Sequence, residues 1–511
     1  MSYCSFPDVF HWIHNLPPLS QWRTDSISIS ICSSTTSSHP SLNLTIARTR
    51  QSPKLCFASI NADFSLPISL WTSKPFKLPA PSNSSSEAIS NLLMNFIQDI
   101  LRYGSHHNKN SPFLKFVKLN DDSVVPNLPD IFNLAFLTLF FLVCIYESPK
   151  DLRSGCLSTV KKHLTNCRSR QGSKMLMKLL GSNLEEQWMR CLNLAITNWI
   201  VELQSSSPQP HHQRLTTLRT PSPLFSYESS STFGLWKVQL YCPVISMDVV
   251  DSSSHNHPAD ERLQFSLNYH HLEGVLQFNH KITLKDKWVE IMVNTDNIRC
   301  DVVKLVSDTL MRERGGGAGE KHFPSRICVQ LTPTNQSQVL SVSVGKSSEN
   351  TRREIGIDNS IEASLEAPNP YLGLKLSSTE STTLSLRPWK FEESVYGYTA
   401  NLNWFLHDTI DGKEVFSSKP SKMELINPKS WFRERYSSAY RPFTRQGGVV
   451  FAGDEYGEGV WWKVEKGAMG NTMEWEIKGW IWLTYWPNKY KTFYNETRRL
   501  EFREFLYLNL A

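Results

Sequence analysis

The chain has 511 residues, a length that predicts about two to four domains, or one large domain with tails. Hydrophobic residues make up 40% and charged residues 20%, so the chain can bury a sizeable core. This excludes a collagen-like, coiled-coil or wholly disordered protein. The 54 basic and 48 acidic residues leave a net charge of only +6, without a concentrated basic stripe, so no nucleic-acid partner is expected.

Ten cysteines are scattered along the chain, and none forms a C-x-x-C pair. Because the N-terminus also lacks a clean secretory apolar region, we expect reduced thiols and an intracellular, cytoplasmic location. Residues 1–57 are rich in Ser and Thr and poor in acidic residues. That composition is typical of transit peptides and of flexible tails, so we expect a flexible or transit-like segment there.

Helical periodicity dominates residues 58–204, which predicts a mainly helical domain. Ser84 and Glu87 form a capping-box pattern ahead of an amphipathic stripe. Two further helices are expected over 151–167 and 173–203, and the second should break at Gly181.

The most apolar stretch is 131–146, which contains only Asn133 and Thr138 as polar residues. A helix of this length spans about 24 Å, which is short of the ~30 Å hydrocarbon core of a bilayer. The length therefore favours a helix buried at the centre of the helical domain. The alternative is a short membrane segment that anchors the chain.

Residues 205–232 are rich in Ser, Pro and His, which predicts a linker. From 233 to 511 the pattern changes to a period of two between turn residues, with loops expected at 312–324 and 347–370. The fold class expected is α+β: an N-terminal helical domain followed by a large antiparallel β-sandwich or barrel-like domain.

Two stretches of the β-rich region, at 263–269 and at the end of the chain, have patterns that predict strands. Leu263, Phe265, Leu267 and Tyr269 alternate with polar residues, which predicts a strand. The mixed apolar and charged residues over 495–510 predict a docked strand.

No motif for catalysis or metal binding is present in the sequence, so an enzyme is not expected and no catalytic, cofactor-binding or metal-binding residue is predicted. The Gly run near Gly319 departs from a phosphate-binding loop because Glu320 separates Gly319 from Lys321. His270 and His271 are adjacent on a predicted strand, so their side chains should face opposite ways and not share a metal.

The clearest candidate for a ligand or partner surface is a Gly-rich acidic loop and the start of the strand after it. Asp454, Glu455 and Glu458 lie in the loop, and Trp461 and Trp462 begin the strand. Loops between strands often carry binding sites, although a solvated hairpin loop is the alternative.

A second aromatic feature is the strand predicted over 473–485. Trp480 and Trp482 share one face of it, and Ile481 and Leu483 take the other. A strand that is apolar on both faces is typical of a sheet interior. The pattern therefore favours core packing over an exposed platform for carbohydrate or lipid.

The Trp-rich β region at 473–511, together with 288–302 and 129–149, resembles a land-plant-specific protein family. The resemblance covers roughly residues 60–511. It implies a plant origin, which makes the chloroplast an alternative location, and it brings no activity or catalytic residue.

These observations favour a non-enzymatic protein-interaction or scaffold protein with a protein partner. One alternative is a membrane-associated protein anchored through 131–146. Another is a carbohydrate- or lipid-binding β module.

Overall fold

A computed structural model describes most of the chain in separate stretches. The described residues are 7–32, 41–49, 52–63, 67–78, 85–104, 127–149, 153, 157, 170–205, 225–228, 232–252, 261–307, 309–310, 321–345, 353–360, 379–386, 389–406, 449–452, 458–486 and 496–510. The α-helices in these stretches are α1 (Val9–His14), α2 (Ser85–Arg102), α3 (Leu128–Tyr146), α4 (Arg170–Ser205) and α5 (Glu261–Tyr269).

Strands are spread along the whole chain. They are β1 (Ser26–Cys32), β2 (Ser41–Thr49), β3 (Ser52–Asp63), β4 (Ile68–Thr72), β5 (Phe225–Glu228), β6 (Phe233–Pro243), β7 (Asp248–Ser252), β8 (His270–Leu284), β9 (Trp288–Lys304), β10 (Lys321–Pro333), β11 (Val339–Gly345), β12 (Arg353–Ser360), β13 (Thr379–Leu386), β14 (Trp389–Tyr396), β15 (Thr399–Leu406), β16 (Val449–Ala452), β17 (Gly459–Glu465), β18 (Thr472–Trp486) and β19 (Glu496–Asn509).

The strands form antiparallel sheets, which together with the helices confirms the α+β class. A four-stranded sheet has the order β1-β2-β3-β4, and a six-stranded sheet has the order β14-β15-β10-β18-β19-β7. A seven-stranded sheet has the order β11-β17-β9-β8-β6-β5, with β16 also paired to β9. Strands β12 and β13 form a separate pair.

The four-stranded sheet occupies much of the segment that composition indicated as flexible or transit-like. Strands β1 and β2 lie within residues 1–57, and the expected boundary at 57/58 falls inside β3. The physical reason is visible in β2, where Leu42, Leu44 and Ile46 are fully buried and alternate with polar residues. Ser and Thr supply the polar positions of this pattern, so their abundance is compatible with a sheet.

Helix α3 lies at the centre of the helical layer, as its composition predicts. The Phe132 ring contacts the Phe96 ring of α2 at 5.2 Å between centroids, and Phe141 contacts Trp199 of α4 at 5.9 Å. All of Ile131–Ile145 is buried except Asn133 and Leu134. Within the stretches described, α3 is also the helix that is long and apolar enough to cross a membrane.

Helix α4 follows the expected helix over 173–203, including its interruption. Gly181 has φ 72°, a left-handed conformation that a residue with a side chain rarely adopts. The helix predicted over 151–167 lies largely outside the described residues.

Residues of the six- and seven-stranded sheets contact each other at several points in the part of the chain that the structure describes. Trp462 of β17 meets Trp475 of β18 at 5.8 Å between ring centroids, and both side chains are fully buried. At another point, the Trp236 indole N–H of β6 donates to the Phe505 carbonyl oxygen of β19 at 3.3 Å. The alternation of apolar and polar residues in these strands therefore reflects one covered and one outer face.

The strand predicted at 263–269 is wrong, because this stretch is helix α5. Leu263, Ser266 and Leu267 are buried, at the spacing that places them on one side of a helix. The rings of Phe265 and Tyr269, four residues apart, contact each other at 4.8 Å. A short segment can satisfy both periods, and tertiary packing decides between them.

Strands also occupy parts of the expected linker and loops. Strand β5 lies inside 205–232 and pairs with β6, and β10 begins inside 312–324 and pairs with β18. Strand β12 lies inside 347–370 and pairs with β13. Hydrogen bonds to a neighbouring strand hold these polar segments extended, and local composition does not report such a neighbour.

The docked strand predicted at the end of the chain is confirmed as β19, between β18 and β7. Its inward-facing Phe502 lies against Gly479, its register partner on β18. A Cβ atom added at Gly479 would overlap the aromatic ring, so this position requires glycine.

We expect Gly479→Ala to lower the free energy of unfolding by about 1–3 kcal/mol, because the ring must move within a packed core. Denaturant unfolding of the full chain measures this. Gly467→Ala is the matched control, since nothing lies within 4 Å of a Cβ added there. Adding Phe502→Leu to Gly479→Ala should reduce the penalty, and an unchanged unfolding midpoint for Gly479→Ala would contradict the packing.

Candidate functional site on the outer face of the six-stranded sheet

The outer face of the six-stranded sheet combines aromatic, cationic and amide side chains. In β18, Ile477 and Ile481 point into the core, as does Trp475. Trp480 and Trp482 therefore point outward, Trp480 half-buried and Trp482 8% exposed. As predicted, Trp480 and Trp482 share one face of the strand and Ile481 lies on the other. The interior position of β18 in the sheet is also confirmed.

One row of this face places a guanidinium group between two aromatic rings. Arg326 of β10 lies opposite Phe405 of β15 and opposite Trp482, which in turn lies opposite Arg499 of β19. The Arg326 Cζ atom is 4.6 Å from the Phe405 ring centroid and 4.5 Å from the Trp482 centroid. We call Phe405, Arg326, Trp482 and Arg499 the guanidinium row. Stacking of this kind fixes the plane of the guanidinium group.

The guanidinium row has hydrogen-bonding capacity left over. Arg326 donates from Nη2 to Asn403 Oδ1 at 3.4 Å. The Nε atoms of Arg326 and Arg499 are shielded from solvent and have no hydrogen-bond partner among the described residues. Arg499 lies opposite Asp248 of β7. The register places the Asp248 carboxylate in this row and the Glu501 carboxylate in the next one, opposite Trp480. The guanidinium groups themselves suit an anionic oxygen ligand.

Beside this row, an amide ladder crosses the same face. Gln330 donates from Nε2 to Asn401 Oδ1 at 3.1 Å, and Asn401 donates from Nδ2 to Ser394 Oγ at 3.3 Å. We call Gln330, Asn401 and Ser394 the amide ladder. Between it and the guanidinium row, the register places Trp480 opposite Cys328. Burial raises the pKa of the Cys328 thiol to about 11, so this cysteine is a neutral neighbour of the indole.

The far end of the face carries a surface ion-pair group. Lys478 Nζ lies 3.3 Å from Glu476 Oε2, and Arg503 also pairs with Glu476. The Arg503 Cζ atom lies 5.3 Å from the Phe505 ring centroid. The two cations share the single Glu476 carboxylate. Solvent-exposed ion pairs of this kind contribute little to stability.

The described members of the acidic-loop and Trp set suggested by the sequence, which are Glu458, Trp461 and Trp462, are not part of this face. Asp454 and Glu455 are outside the described residues. Glu458 is 1% exposed, and its backbone oxygen accepts from the Thr295 N–H at 2.9 Å. Trp462 is a core residue whose indole N–H donates to the Tyr398 carbonyl oxygen at 3.0 Å. The side chains of Glu458 and Trp462 are thus inside the protein and do not form a surface.

Trp461 is the remaining member of that set, and it is half-buried on the outer face of the seven-stranded sheet. Its ring covers Gly345 and Gly459, and a Cβ atom at either position would overlap it. The indole therefore fills space that two glycines leave open. The structure does not bring Trp461 together with the guanidinium row, which lies on the other sheet.

A second polar cluster joins helix α4 to the seven-stranded sheet. Arg190 of α4 donates from Nε to Glu273 Oε1 at 2.8 Å, and the His271 Nε2 atom lies 2.6 Å from the same oxygen. Burial alone would raise the pKa of Glu273, but His271 and Arg190 lower it to about 2. Burial lowers the pKa of His271, against the opposing effect of Glu273. The cluster holds a charged carboxylate at the boundary between helix and sheet.

Glu185, also on α4, is 2% exposed in the same boundary. Burial raises its pKa to about 7, and the charge of Lys237 and a hydrogen bond with Tyr241 offset only part of that effect. A carboxyl group with a folded-state pKa above its unfolded value contributes stability that is fully present below the unfolded pKa. That stability is lost as the pH rises through about 7.

We expect Glu185→Gln to become progressively more stable than the natural chain as the pH rises from 5 to 8. The relative gain should reach up to about 3 kcal/mol, because the amide has no charge to desolvate. Denaturant unfolding at several pH values measures the difference. Glu501→Gln, at an exposed position, should show no such trend. A constant difference across this range would contradict the buried carboxyl.

A buried hydroxyl and imidazole group lies at one end of the two sheets. Ser266 Oγ of α5 is 3.0 Å from His270 Nδ1 and 3.3 Å from His322 Nδ1. Ser266 is 3% exposed and both imidazoles are fully buried, so a substrate has no open path to the hydroxyl. His270 contacts α5 whereas His271 contacts the α4 cluster, in agreement with opposite orientations. Among the described residues, no group of three His, Cys, Asp or Glu residues could hold a metal ion.

No protein-family model and no curated protein matches the chain. Among solved structures, the delta-toxin of Clostridium perfringens is 11% identical, with a TM-score of 0.24, over 55% of this chain and 94% of the toxin. The membrane-inserted form of the Clostridium perfringens NetB toxin is 8% identical, with a TM-score of 0.21, over 53% and 94%. A pore forming protein is 9% identical, with a TM-score of 0.19, over 55% and 93%. Similarity this low defines neither a shared fold nor a function.

No pattern in the sequence identifies the residues of the guanidinium row and the amide ladder as a site. Arg326, Phe405 and Arg499 are far apart in the chain and belong to no motif. Only the register of β15, β10, β18 and β19 aligns them. Trp482 was the one available signal, and its pattern alone favoured core packing.

Proposed function

We propose that the protein is a non-enzymatic protein-interaction protein, with a scaffold role, that binds its partner through the outer face of the six-stranded sheet. The guanidinium row is the observation that carries this proposal. Arg and Trp are among the residues that most often dominate protein interfaces, where a central anchor is surrounded by polar contacts. The amide ladder and the ion-pair group supply such polar contacts beside the row.

The chemistry of the row favours a partner segment that presents carboxylates. Arg326 and Arg499 are half-buried, and two rings hold the Arg326 guanidinium group flat. A planar guanidinium group binds a carboxylate through paired hydrogen bonds, and preorganisation reduces the entropy lost on binding. We therefore infer a partner with an acidic segment that lies across β10, β18 and β19.

The proposed architecture that presents this face is a helical N-terminal unit followed by a β-sandwich. The contact between Trp462 and Trp475 and the bond from Trp236 to the Phe505 carbonyl support the sandwich. The burial of α3 among α1, α2 and α4 supports a core helix over a membrane anchor. On this proposal the helical unit is structural, and binding belongs to the sheet.

Arg326→Gln combined with Arg499→Gln should reduce partner recovery at least about tenfold, since a charge-assisted hydrogen bond contributes about 1.5–3 kcal/mol. Quantitative affinity purification from native tissue compares this variant with the natural chain. Lys463→Gln is the matched control, because the Lys463 Nζ also lies over an indole, 4.6 Å from the Trp288 centroid, on the other sheet.

Two further readouts sharpen the test. Partners lost with the double variant should be rich in acidic segments, and their binding should weaken with salt. Arg326→Lys should restore it only in part, because lysine keeps the charge without the planar donor set. Equal recovery with the natural chain, Lys463→Gln and a folded double variant would overturn the proposed function.

A carbohydrate-binding module is the second candidate, and the position of Trp480 favours it. The half-buried indole lies in a row next to the amide ladder, and sugar rings bind where an aromatic face and amide groups adjoin.

Under this candidate, Trp480→Ala should weaken binding of soluble neutral oligosaccharides by about three- to tenfold, because a ring contact contributes about 0.5–1.5 kcal/mol. Titration followed by tryptophan fluorescence measures the affinity. Trp461→Ala, on the other sheet, is the control and should leave it unchanged. Arg326→Gln should have little effect on a neutral sugar, which separates this candidate from the first. The absence of any saturable fluorescence change would contradict it.

A further inference from the structure

The edge strand β1 of the four-stranded sheet has an unusual sequence for an exposed edge. Its residues alternate between Ser and Ile over Ser26–Cys32 and include no charged residue and no proline. Ser26, Ser28 and Ser30 are exposed, whereas Ile27 and Ile29 are half-buried against the core. One side of the strand pairs with β2, and among the strands that the structure describes β1 is the last of the sheet on its other side.

Other described sheet edges are protected in recognisable ways. Strand β14 carries Lys390 and Glu392, β7 carries Asp248 and Asp251, and β4 and β5 are short. Strand β11 also lacks charges, but it lies beside β14 and β15 of the other large sheet. Natural proteins usually block an edge with charges, proline or short length, because an open edge pairs with another strand. Strand β1 shows none of these devices.

We propose that β1 pairs antiparallel with β1 of a second copy of this chain, about a two-fold axis at Ser28. In that register Ser28 lies opposite the partner's Ser28, and Ile27 lies opposite the partner's Ile29. The regular pairing of β1 with β2 extends from Ser26 to Ser30, and the irregularity before Cys32 lies outside the paired segment. Two four-stranded sheets then join into one continuous sheet.

The alternation in β1 makes the strand complementary to itself. Side chains alternate between the faces of a sheet, so a two-fold axis at Ser28 keeps every Ser on the polar face and every Ile on the core face. Ile27 and Ile29 then gain apolar neighbours in the second copy, and no like charges meet across the strands. A single strand pair buries a small area, so the association should be weak, with a Kd of roughly micromolar order.

Disulfide trapping tests the register. Under mild oxidation, Ser28→Cys should give a covalent dimer, because directly opposed residues lie about 4.5–5.5 Å apart. Ser26→Cys alone should not, because its two copies would be about 13 Å apart along the strands. A mixture of Ser26→Cys and Ser30→Cys chains should cross-link to each other. The natural chain, with its own cysteines, sets the background.

Light scattering after size-exclusion chromatography tests the association without a cross-link. The natural chain should shift from monomer to dimer as its concentration rises, and Ser28→Lys should stay monomeric, because it places like charges on the axis. Ser69→Lys is the matched control, since it adds the same charge to the opposite edge, at exposed Ser69 of β4. Circular dichroism melting checks that the variants remain folded.

A monomer at all concentrations up to about 100 μM, roughly a hundred times the expected Kd, would overturn the proposal. Equal cross-linking of the Ser28→Cys and Ser26→Cys chains would overturn the two-fold register, as would a dimer that Ser28→Lys leaves intact. The proposal does not depend on the function of the guanidinium row, because Arg326→Gln leaves β1 unchanged and Ser28→Lys leaves the row unchanged.

Discussion

The buried contact between Trp462 of the seven-stranded sheet and Trp475 of the six-stranded sheet is the constraint on which the rest of the structure depends. Trp462 and Trp475 meet in the shared core, and Gly479 leaves room for the ring of Phe502 within it. Close packing of such large side chains fixes which face of each strand is covered. Successive side chains of a strand point to opposite faces, so the residues between the inward-facing ones must lie on the outer face. The guanidinium row lies on that outer face.

The polar groups of the protein fall into two kinds with different consequences. Around Arg190 and Glu273, charges meet their partners inside the boundary between α4 and the sheet, where they fix how helix and strand lie together. In the guanidinium row, donors of Arg326 and Arg499 are held in place without partners among the described residues. In the first arrangement, Glu273 is paired with both Arg190 and His271. The second is the kind of arrangement that a ligand completes, which is why the proposed interface lies there.

Long periodic segments of the sequence can be predicted because the face that their apolar residues form is the face that the fold buries. Helix α3 and the break at Gly181 follow from composition and backbone conformation, as does the strand β19. Residues 261–269 satisfy two periods at once, and for this reason the predicted strand is in fact helix α5. Strand β5, in contrast, lies in a Ser-, Pro- and His-rich stretch of sequence that predicts a linker. Only its pairing with β6 makes it a strand.

The sequence by itself determined the α+β class and the existence of a Trp-rich interior strand. Only the tertiary structure decided that Trp462 is core and that Trp482 stacks on Arg326 at the outer face. The physical reason is that periodicity reports which residues share a face of one element. Which face is covered, and which distant residues lie beside it, depends on strand order and register across the sheet.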